Sequence, residues 1–280
     1  MATIQVSTDR GTARVMLARP DVRNAFNAEV IRELRDAFAH LSDDATIRVV
    51  VLSGEGKVFC GGADVQWMRG ALALSYDENV ADAEAMSNMF RAIDRCTKPV
   101  IGRIHGAALG GGAGLAAVCD VAIASDDTIF GFTEVKLGII PAVISPFVIA
   151  KIGQSNARAL FMTGERFDAK RAHAIGLVHE VHHESVLDAA VGRVITELNS
   201  AGPHAVAAVK ALIPQVVAAD YDATLSITAN AIAKQRTSEE GQEGLHAFLE
   251  RRHAGFVLRQ AQDDRVQAPG DRVQAPGDRV

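Results

Sequence analysis

The stretch HGAALGGGAGLAAVCD, residues 105–120, places five glycines between Gly106 and Gly114, directly before a run rich in alanine and leucine. A glycine inside a helix costs about 1 kcal/mol relative to alanine, so this density needs a physical reason. Glycine is required where the backbone comes close to another group or adopts dihedral angles that side chains forbid. The sequence therefore predicts that the backbone approaches a partner closely at this point.

The composition is that of an ordinary globular protein, with 280 residues, 48 % of them hydrophobic and 22 % charged. The formal net charge of −5 argues against a nucleic-acid or anionic-membrane partner, because both favour a basic surface. No uninterrupted apolar run of about 18 residues occurs, so we expect no membrane span. The N-terminal stretch also lacks the apolar core of a signal peptide.

The three cysteines, Cys60, Cys96 and Cys119, lie in apolar surroundings and have no CxxC spacing. This pattern is typical of buried thiols in a reducing compartment, and it favours neither a disulfide framework nor a zinc site. We therefore expect a cytoplasmic protein without a metal site.

Strand and helix patterns alternate in the first part of the chain. Alternating apolar and polar residues predict a hairpin from strands at 4–6 and 13–17, and Asn27 is a suitable N-cap for the helix that follows. The β-branched run 48–53 predicts a strand covered on both faces. A helix at 79–95, a strand at 99–104, the glycine loop with its helix, and a strand at 120–124 come next. This alternation predicts a largely parallel α/β core.

The pattern beyond Gly164 is mostly helical. Asp168 is a suitable cap for a short helix at 169–174, and longer helices are predicted at 184–199, 204–217 and 222–234. We expect a core at 1–200, a helical C-terminal region at 201–258 and a separate tail at 259–280. In that tail DRVQAPG occurs twice in tandem, and the proline in each copy excludes a continuous helix, which predicts a disordered extension.

The glycine loop has two interpretations. Residues 112–117 match the GxGxxA pattern of dinucleotide-binding loops, but no strand leads directly into the turn and no acidic residue follows at the required distance. Alternatively, the unpaired N–H groups at a helix N-terminus can stabilise an oxyanion. The segment FCGGADV, residues 59–65, is a second glycine turn after another predicted strand. The two turns are predicted to face one site from the same edge of the core.

Four blocks carry a family resemblance: FCGGADVQWM at 59–68, the glycine stretch at 105–120, FGFTEVKLGIIPA at 130–142 and MTGERFDAKRAHAIGLVHEV at 162–181. Together they resemble the enoyl-CoA hydratase/isomerase (crotonase) superfamily over residues 4–257. The resemblance implies an α/β fold, a spiral of repeated ββα units, with a helical C-terminal region that forms a homotrimer or a hexamer of paired trimers. It also implies an acyl-CoA thioester substrate, with coenzyme A as a part of that substrate and no separate cofactor.

The resemblance places a catalytic site on the two glycine turns. The N–H groups of Ala63 and Gly111 match the oxyanion-hole positions that hold the thioester carbonyl as it gains enolate charge. Glu134 matches one of two catalytic glutamates, and a desolvated glutamate has a pKa suited to proton transfer. The second glutamate falls at Gly114, which departs from the pattern and puts straight-chain hydration in doubt. Ala142 matches a position whose N–H helps to hold the attacking water.

The resemblance also predicts which residues bind the coenzyme A and acyl parts of the substrate. An arginine suits the geometry of a phosphate, and aromatic and methionine side chains suit an acyl group. The matched positions are Arg23 and Ala25 near the pyrophosphate, Gly61, Asp64 and Val65 in the loop that receives the adenine, and Trp67 and Met68 in the wall of the acyl pocket.

Three mechanisms remain open with one carboxylate. Glu134 could both activate water and deliver the α-proton, or it could move a proton between two carbons as an isomerase. In the third, Gly114 removes a negative charge and leaves room, so that the substrate is branched or brings its own carboxylate. The run TEVKLGIIPAVISPFVI, residues 133–149, resembles the hydratases of 3-methylglutaconyl-CoA and γ-carboxygeranoyl-CoA.

We therefore predict a hydro-lyase that hydrates a 2-enoyl-CoA, branched or carboxylated in its acyl group. A Δ3-Δ2-enoyl-CoA isomerase is the first alternative, and an acyl-CoA-binding pseudoenzyme without turnover is the second. An RNA-binding role is disfavoured by the acidic net charge.

Overall fold

The computed structural model describes residues 2–257, and the predicted tail at 259–280 lies outside the described residues. The larger sheet contains six strands in this spatial order: β1 (Ile4–Asp9), β2 (Thr12–Leu17), β3 (Val49–Gly54), β4 (Val100–Ile104), β6 (Val121–Ser125) and β9 (Glu180–His182). Strands β1 and β2 form the predicted antiparallel hairpin, and each following pair is parallel. The prediction of a largely parallel α/β core is confirmed.

The smaller sheet contains β5 (Ala107–Leu109), β7 (Ile129–Gly131) and β8 (Arg166–Asp168), in that order. Strand β5 is parallel to β7, and β7 is antiparallel to β8. In two successive turns of the chain, β4–β5–α4 and β6–β7–α5, one strand joins the larger sheet, a short strand joins the smaller sheet, and a helix follows. This arrangement is the predicted spiral of ββα units.

The helices are α1 (Ala28–Asp43), α2 (Val65–Ala71), α3 (Tyr76–Asp94), α4 (Gly111–Val118), α5 (Ser145–Thr163), α6 (Ala169–Ala174), α7 (Glu184–Ser200), α8 (Pro203–Ala218), α9 (Tyr221–Arg236) and α10 (Glu239–Leu249). Both predicted N-caps are confirmed. The side chain of Asn27 accepts a hydrogen bond from the backbone N–H of Val30, and Asp168 accepts one from the N–H of Arg171. Such caps satisfy N–H groups that have no partner inside the helix.

Two apolar clusters hold the core together. The larger one joins α1, α3, α4 and α5 to one face of the larger sheet, and all eight residues of α4 are buried in or beside it. The smaller one packs Leu187 and Val191 of α7 against Val49, Ile101 and Ile123 on the sheet. The three cysteines are buried and unpaired, as predicted. Because residues of strand β3 belong to both apolar clusters, this strand is covered on both faces, as its apolar sequence predicts.

The C-terminal helices α8 and α9 contain no buried residue within the described chain. Large apolar side chains on these helices are exposed, among them Ile213, Val217 and Leu225. No single helix in residues 2–257 is long and apolar enough to cross a membrane; α7 and α8, which meet at a bend of 103°, pass that test of length and composition only as a pair.

Candidate active site

A cavity of about 420 Å³ lies between α2, α3, the start of α4 and the loop that precedes α5. Most of its lining is apolar. It is lined by seven of the predicted site residues, namely Gly61, Ala63, Trp67, Met68, Gly111, Glu134 and Ala142. The structure therefore brings both glycine turns and the predicted glutamate to one site, at the edge where the strands of the larger sheet lead into their loops.

The backbone N–H groups of Ala63 and Gly111 are free in this cavity. The neighbours of Ala63 are engaged: Phe26 donates its N–H to Gly62 at 2.7 Å, and Asp64 donates its N–H to Phe26 at 2.8 Å. Gly111 is the first residue of α4, so its N–H has no acceptor within the helix. Within residues 2–257, neither N–H donates a hydrogen bond to the protein. Two unpaired donors on one cavity can hold an oxyanion.

The glycines of the opening stretch pack the two turns against each other. A Cβ atom on Gly112 would lie 2.5 Å from the carbonyl oxygen of Cys60, and one on Gly111 would lie 2.7 Å from the ring of Phe26. The N–H of Leu109 donates to Cys60 at 3.1 Å, which joins the turns directly. The close approach that the sequence predicts is thus an approach of the two glycine turns to each other. It places Ala63 and Gly111, with their N–H groups, at the same cavity.

Glu134 begins a 3-10 helix, Glu134–Leu137, just after β7. Its Oε2 atom is buried and, within the described chain, has no hydrogen-bond partner. Burial raises the pKa of this carboxyl group above its ordinary value, and a hydrogen bond with its own backbone opposes the shift only in part. A Cβ atom on Gly110 would lie 3.2 Å from its Oε1 atom, so the carboxylate touches the glycine loop beside Gly111. An unpaired carboxylate at this place can exchange protons with a bound ligand.

Gly114 does not open the cavity, and this part of the sequence interpretation is wrong. A Cβ atom on Gly114 would lie 2.4 Å from Cγ2 of Ile144 and 3.1 Å from the ring of Phe90. Ile144 lines the cavity, whereas Gly114 does not. The space that glycine leaves is therefore filled by the protein itself, and it is not available to a branched acyl group.

Ala142 lines the cavity as predicted, and its N–H is engaged within the protein. Its N–H donates to the carbonyl oxygen of Ile140 at 2.8 Å. The tight turn through Pro141 brings these two groups together. A bound water would share this N–H with Ile140, and the predicted role of Ala142 in holding the water stays a prediction.

Arg23 lies beside the cavity on an exposed loop. Its carbonyl oxygen accepts the N–H of Gly61 at 2.8 Å, and a Cβ atom on Gly61 would lie 3.1 Å from the Cβ of Arg23. The absence of a side chain at Gly61 lets these segments approach. The backbone and the first part of the Arg23 side chain thereby lie next to a cavity-lining residue, and a contact of Arg23 with the pyrophosphate stays a prediction.

The other predicted coenzyme A residues, Ala25, Asp64 and Val65, lie outside the lining of the cavity. The carboxylate of Asp64 is buried, caps α2 at the N–H of Gln66 and accepts a hydrogen bond from Arg19 at 2.8 Å. The same Arg19 donates to the buried carbonyl of Ala25 at 2.6 Å. Neither Asp64 nor Ala25 lines the cavity, and Val65 is exposed outside it. Asp64 and Ala25 therefore shape the loop, and their side chains are not available to a ligand.

Sequence reasoning missed Arg19, Ile144 and Asp82. Asp82 lies on α3 and lines the cavity, as Trp67 does. Burial raises the pKa of the Asp82 carboxyl group, and the nearby Trp67 side chain opposes that shift. No local pattern marks an aspartate in the middle of a helix as part of a site. His105, in contrast, is a packed histidine: it is buried, and its Nε2 atom lies 2.9 Å from the carbonyl oxygen of Gly56.

Comparison with known proteins agrees with this geometry. The family model described as enoyl-CoA hydratase/isomerase matches residues 7–259. The crotonyl-CoA hydratase of Syntrophomonas wolfei is 34 % identical over 249 residues, covering 88 % of this chain and 95 % of the relative. An enoyl-CoA hydratase of Alternaria alternata is 35 % identical over 219 residues, covering 78 % of this chain and 72 % of that protein.

Solved structures superimpose closely on the fold. The crystal structure of an enoyl-CoA hydratase from Shewanella pealeana matches with a TM-score of 0.88 at 38 % identity, covering 90 % of this chain and 95 % of the other. An enoyl-CoA hydratase/isomerase from Marinobacter aquaeolei matches with a TM-score of 0.87 at 34 % identity, covering 91 % and 99 %.

Proposed function

This chain belongs to the enoyl-CoA hydratase/isomerase (crotonase) family, and from that premise we propose that it catalyses the reversible hydration of a 2-enoyl-CoA thioester. The observation that carries the proposal is the meeting of Glu134, with its unpaired buried oxygen, and two free N–H groups in one cavity. A relative named crotonyl-CoA hydratase supports the same reaction.

In the proposed mechanism the thioester carbonyl oxygen accepts hydrogen bonds from the N–H groups of Ala63 and Gly111. Glu134 takes a proton from a water molecule as the water oxygen bonds to C3 of the enoyl group. The electrons of the double bond move to the carbonyl oxygen, which becomes an enolate held by the two donors. The protonated Glu134 then gives its proton to C2, so one water molecule is added across one face of the double bond.

We propose that the acyl group is short and uncharged. The acyl part of the cavity is lined by apolar side chains, including Met68, Met86 and Ile140. No arginine, lysine or histidine lines the cavity among the described residues. A carboxylated acyl group, as in the predicted 3-methylglutaconyl-CoA, would lack a cationic partner there and would lie near acidic side chains.

A Δ3-Δ2-enoyl-CoA isomerase is the second candidate, and the contact between Ile144 and Gly114 favours it. That contact leaves Glu134 without a second carboxylate at this position, and one glutamate suffices to move a proton from C2 to C4. In both reactions the two N–H groups hold an enolate.

For the assembly we propose a homotrimer or a pair of trimers, with further copies of this chain covering α8 and α9. The exposed apolar side chains on these helices support this, because monomeric proteins rarely expose large apolar patches. Light scattering on the purified protein should give three or six times the chain mass of 29.7 kDa. A mass of one chain would contradict the proposal.

The test of the reaction is the loss of conjugated-thioester absorbance when the protein meets crotonyl-CoA, with 3-methylcrotonyl-CoA and 3-methylglutaconyl-CoA alongside. We expect rapid loss with crotonyl-CoA and formation of the 3-hydroxyacyl-CoA, and the other two thioesters report whether a branch or a terminal carboxylate is accepted. If a 3-enoyl-CoA is converted to the absorbing 2-enoyl-CoA while crotonyl-CoA is not hydrated, isomerisation replaces hydration as the proposed reaction. Binding without turnover of any of these thioesters would indicate the pseudoenzyme.

A further inference from the structure

The cavity contains a second acidic side chain, Asp82, that the proposed mechanism does not use. It projects from the middle of α3, seven residues after the Ser75 cap, so it does not cap the helix. Among the described residues it makes no ion pair. The Trp67 side chain also lines the cavity, and it is near enough to Asp82 to lower the pKa of its carboxyl group against the effect of burial. Asp82 thus lies at the acyl wall beside a neutral neighbour and without a cationic partner among the described residues.

We propose that Asp82 is a specificity-determining residue, which excludes acyl groups that end in a carboxylate and directs the site to uncharged acyl groups. The proposal rests on the proposed function in one respect, namely that the cavity receives the acyl part of a CoA thioester. It assigns Asp82 no proton transfer and no contact with the reacting carbons.

The neighbours of Asp82 explain why its charge acts on a ligand. Ala83 and Met86 from its own helix, with Ala71 from α2, are apolar parts of the lining and do not screen the charge. A carboxylate that enters this region must leave water and lie beside another carboxylate. Both effects weaken its binding, and like charges in a partly enclosed cavity repel each other more strongly than in bulk water. Such an unfavourable contact weakens the binding of carboxylated substrates without strengthening the binding of uncharged ones.

The experiment compares two saturated CoA thioesters that are not hydrated, butyryl-CoA and glutaryl-CoA, by calorimetric titration. Both carry the same coenzyme A, so their difference reports the acyl charge and length. We expect wild-type protein to bind butyryl-CoA at least about tenfold more tightly, and Asp82→Asn to reduce the ratio to about threefold or less by tightening glutaryl-CoA binding. Asp82→Ser, which removes the charge with a smaller side chain, should reduce the ratio in the same way.

The matched control is Asp77→Asn, because Asp77 lies on the same helix, is exposed and does not line the cavity. It should leave the ratio unchanged. If Asp82 had only a structural role, its substitution would weaken the binding of both thioesters together and leave their ratio unchanged. An unchanged ratio in both Asp82 variants would overturn the proposal.

Hydration of crotonyl-CoA is measured on the same proteins, which separates the two claims. If wild-type protein does not hydrate crotonyl-CoA but the binding ratio changes as expected, the proposed reaction fails and the role of Asp82 stands. If hydration occurs and the ratio does not respond to the Asp82 variants, the role of Asp82 is wrong and the reaction stands.

Discussion

Ile144 occupies the space into which a side chain on Gly114 would extend, with its Cγ2 atom 2.4 Å from the position of a Cβ on that glycine. Both residues are buried, and Ile144 also lines the cavity. The lack of a second carboxylate at this position is therefore enforced by packing. A glutamate placed there would first have to displace Ile144.

Gly114→Ala should destabilise the fold by about 1–3 kcal/mol, because an added methyl group overpacks a filled core. The measurement is the free energy of unfolding in urea. Gly192→Ala is the matched control, since Gly192 lies in α7 with no heavy atom within 4 Å of a Cβ position. That variant should gain up to about 1 kcal/mol, because alanine is the better helix former. Equal effects of the two substitutions would contradict the packing argument.

The same contact predicts coupling between the two positions. Ile144→Ala removes Cγ2 and should relieve part of the cost of Gly114→Ala, so that the double variant is more stable than the sum of the single effects by about 1 kcal/mol. Additive free energies would show that the two side chains do not compete for space.

The ion pair between Arg19 and Asp64 should stabilise the loop that leads into the site. Asp64→Asn should cost about 1–3 kcal/mol of stability, because it leaves a partly buried guanidinium without its charged partner. Asp36→Asn breaks an exposed pair with Arg35 and should cost less than about 0.5 kcal/mol. Urea unfolding compares them, and equal losses would contradict a structural role for Asp64.

The pKa of Asp64 gives this prediction a pH dependence. Burial alone raises the pKa, but the hydrogen bonds from Arg19 and from the start of α2 outweigh it, so the folded-state pKa lies below its ordinary value. The stabilisation is therefore present above the ordinary aspartate pKa and is lost as the pH falls through the folded-state pKa. The stability difference between wild type and Asp64→Asn should shrink over that acidic range.

The contribution of Glu134 to stability should have the opposite pH dependence from that of Asp64. Burial raises its pKa, so the charged form is less stable in the folded chain than in the unfolded chain, and this penalty is relieved as the pH falls through the raised pKa. Glu134→Gln should therefore melt no lower than wild type at neutral pH, and up to a few degrees higher. The difference should shrink at acidic pH. A variant that melts several degrees lower would show that the carboxylate stabilises the fold.

The cysteines should be unreactive in the folded protein. Burial raises the pKa of both Cys60 and Cys119 to about 12, and it raises the pKa of Cys96 as well, while the reactive form of a thiol is the thiolate. A thiol reagent should label none of them before unfolding and all of them in denaturant. Labelling of the native protein within minutes would contradict this burial.

Local sequence signals predicted most of the fold. The caps at Asn27 and Asp168 act within one helical turn, and the apolar run in β3 reflects burial on both faces, so each can be interpreted without the tertiary structure. The family resemblance predicted that Glu134 and the two glycine turns lie at one site.

The contacts that the sequence analysis missed join residues far apart in the chain. Ile144 fills the space beside Gly114, and Arg19 pairs with Asp64, 45 residues away. No periodicity or spacing encodes these relationships, because they depend on how separate elements pack.

The central claim is that Glu134 performs the proton transfers of hydration, and the most direct measurement is kcat/KM with crotonyl-CoA for wild type, Glu134→Gln and Lys136→Gln. Lys136 lies in the same 3-10 helix, is exposed and does not line the cavity, so its variant is the matched control. We predict a fall of about 10²–10⁴-fold for Glu134→Gln, with butyryl-CoA binding within about threefold of wild type and Lys136→Gln unchanged. If Glu134→Gln retains more than a tenth of wild-type activity, Glu134 is not the catalytic acid–base group.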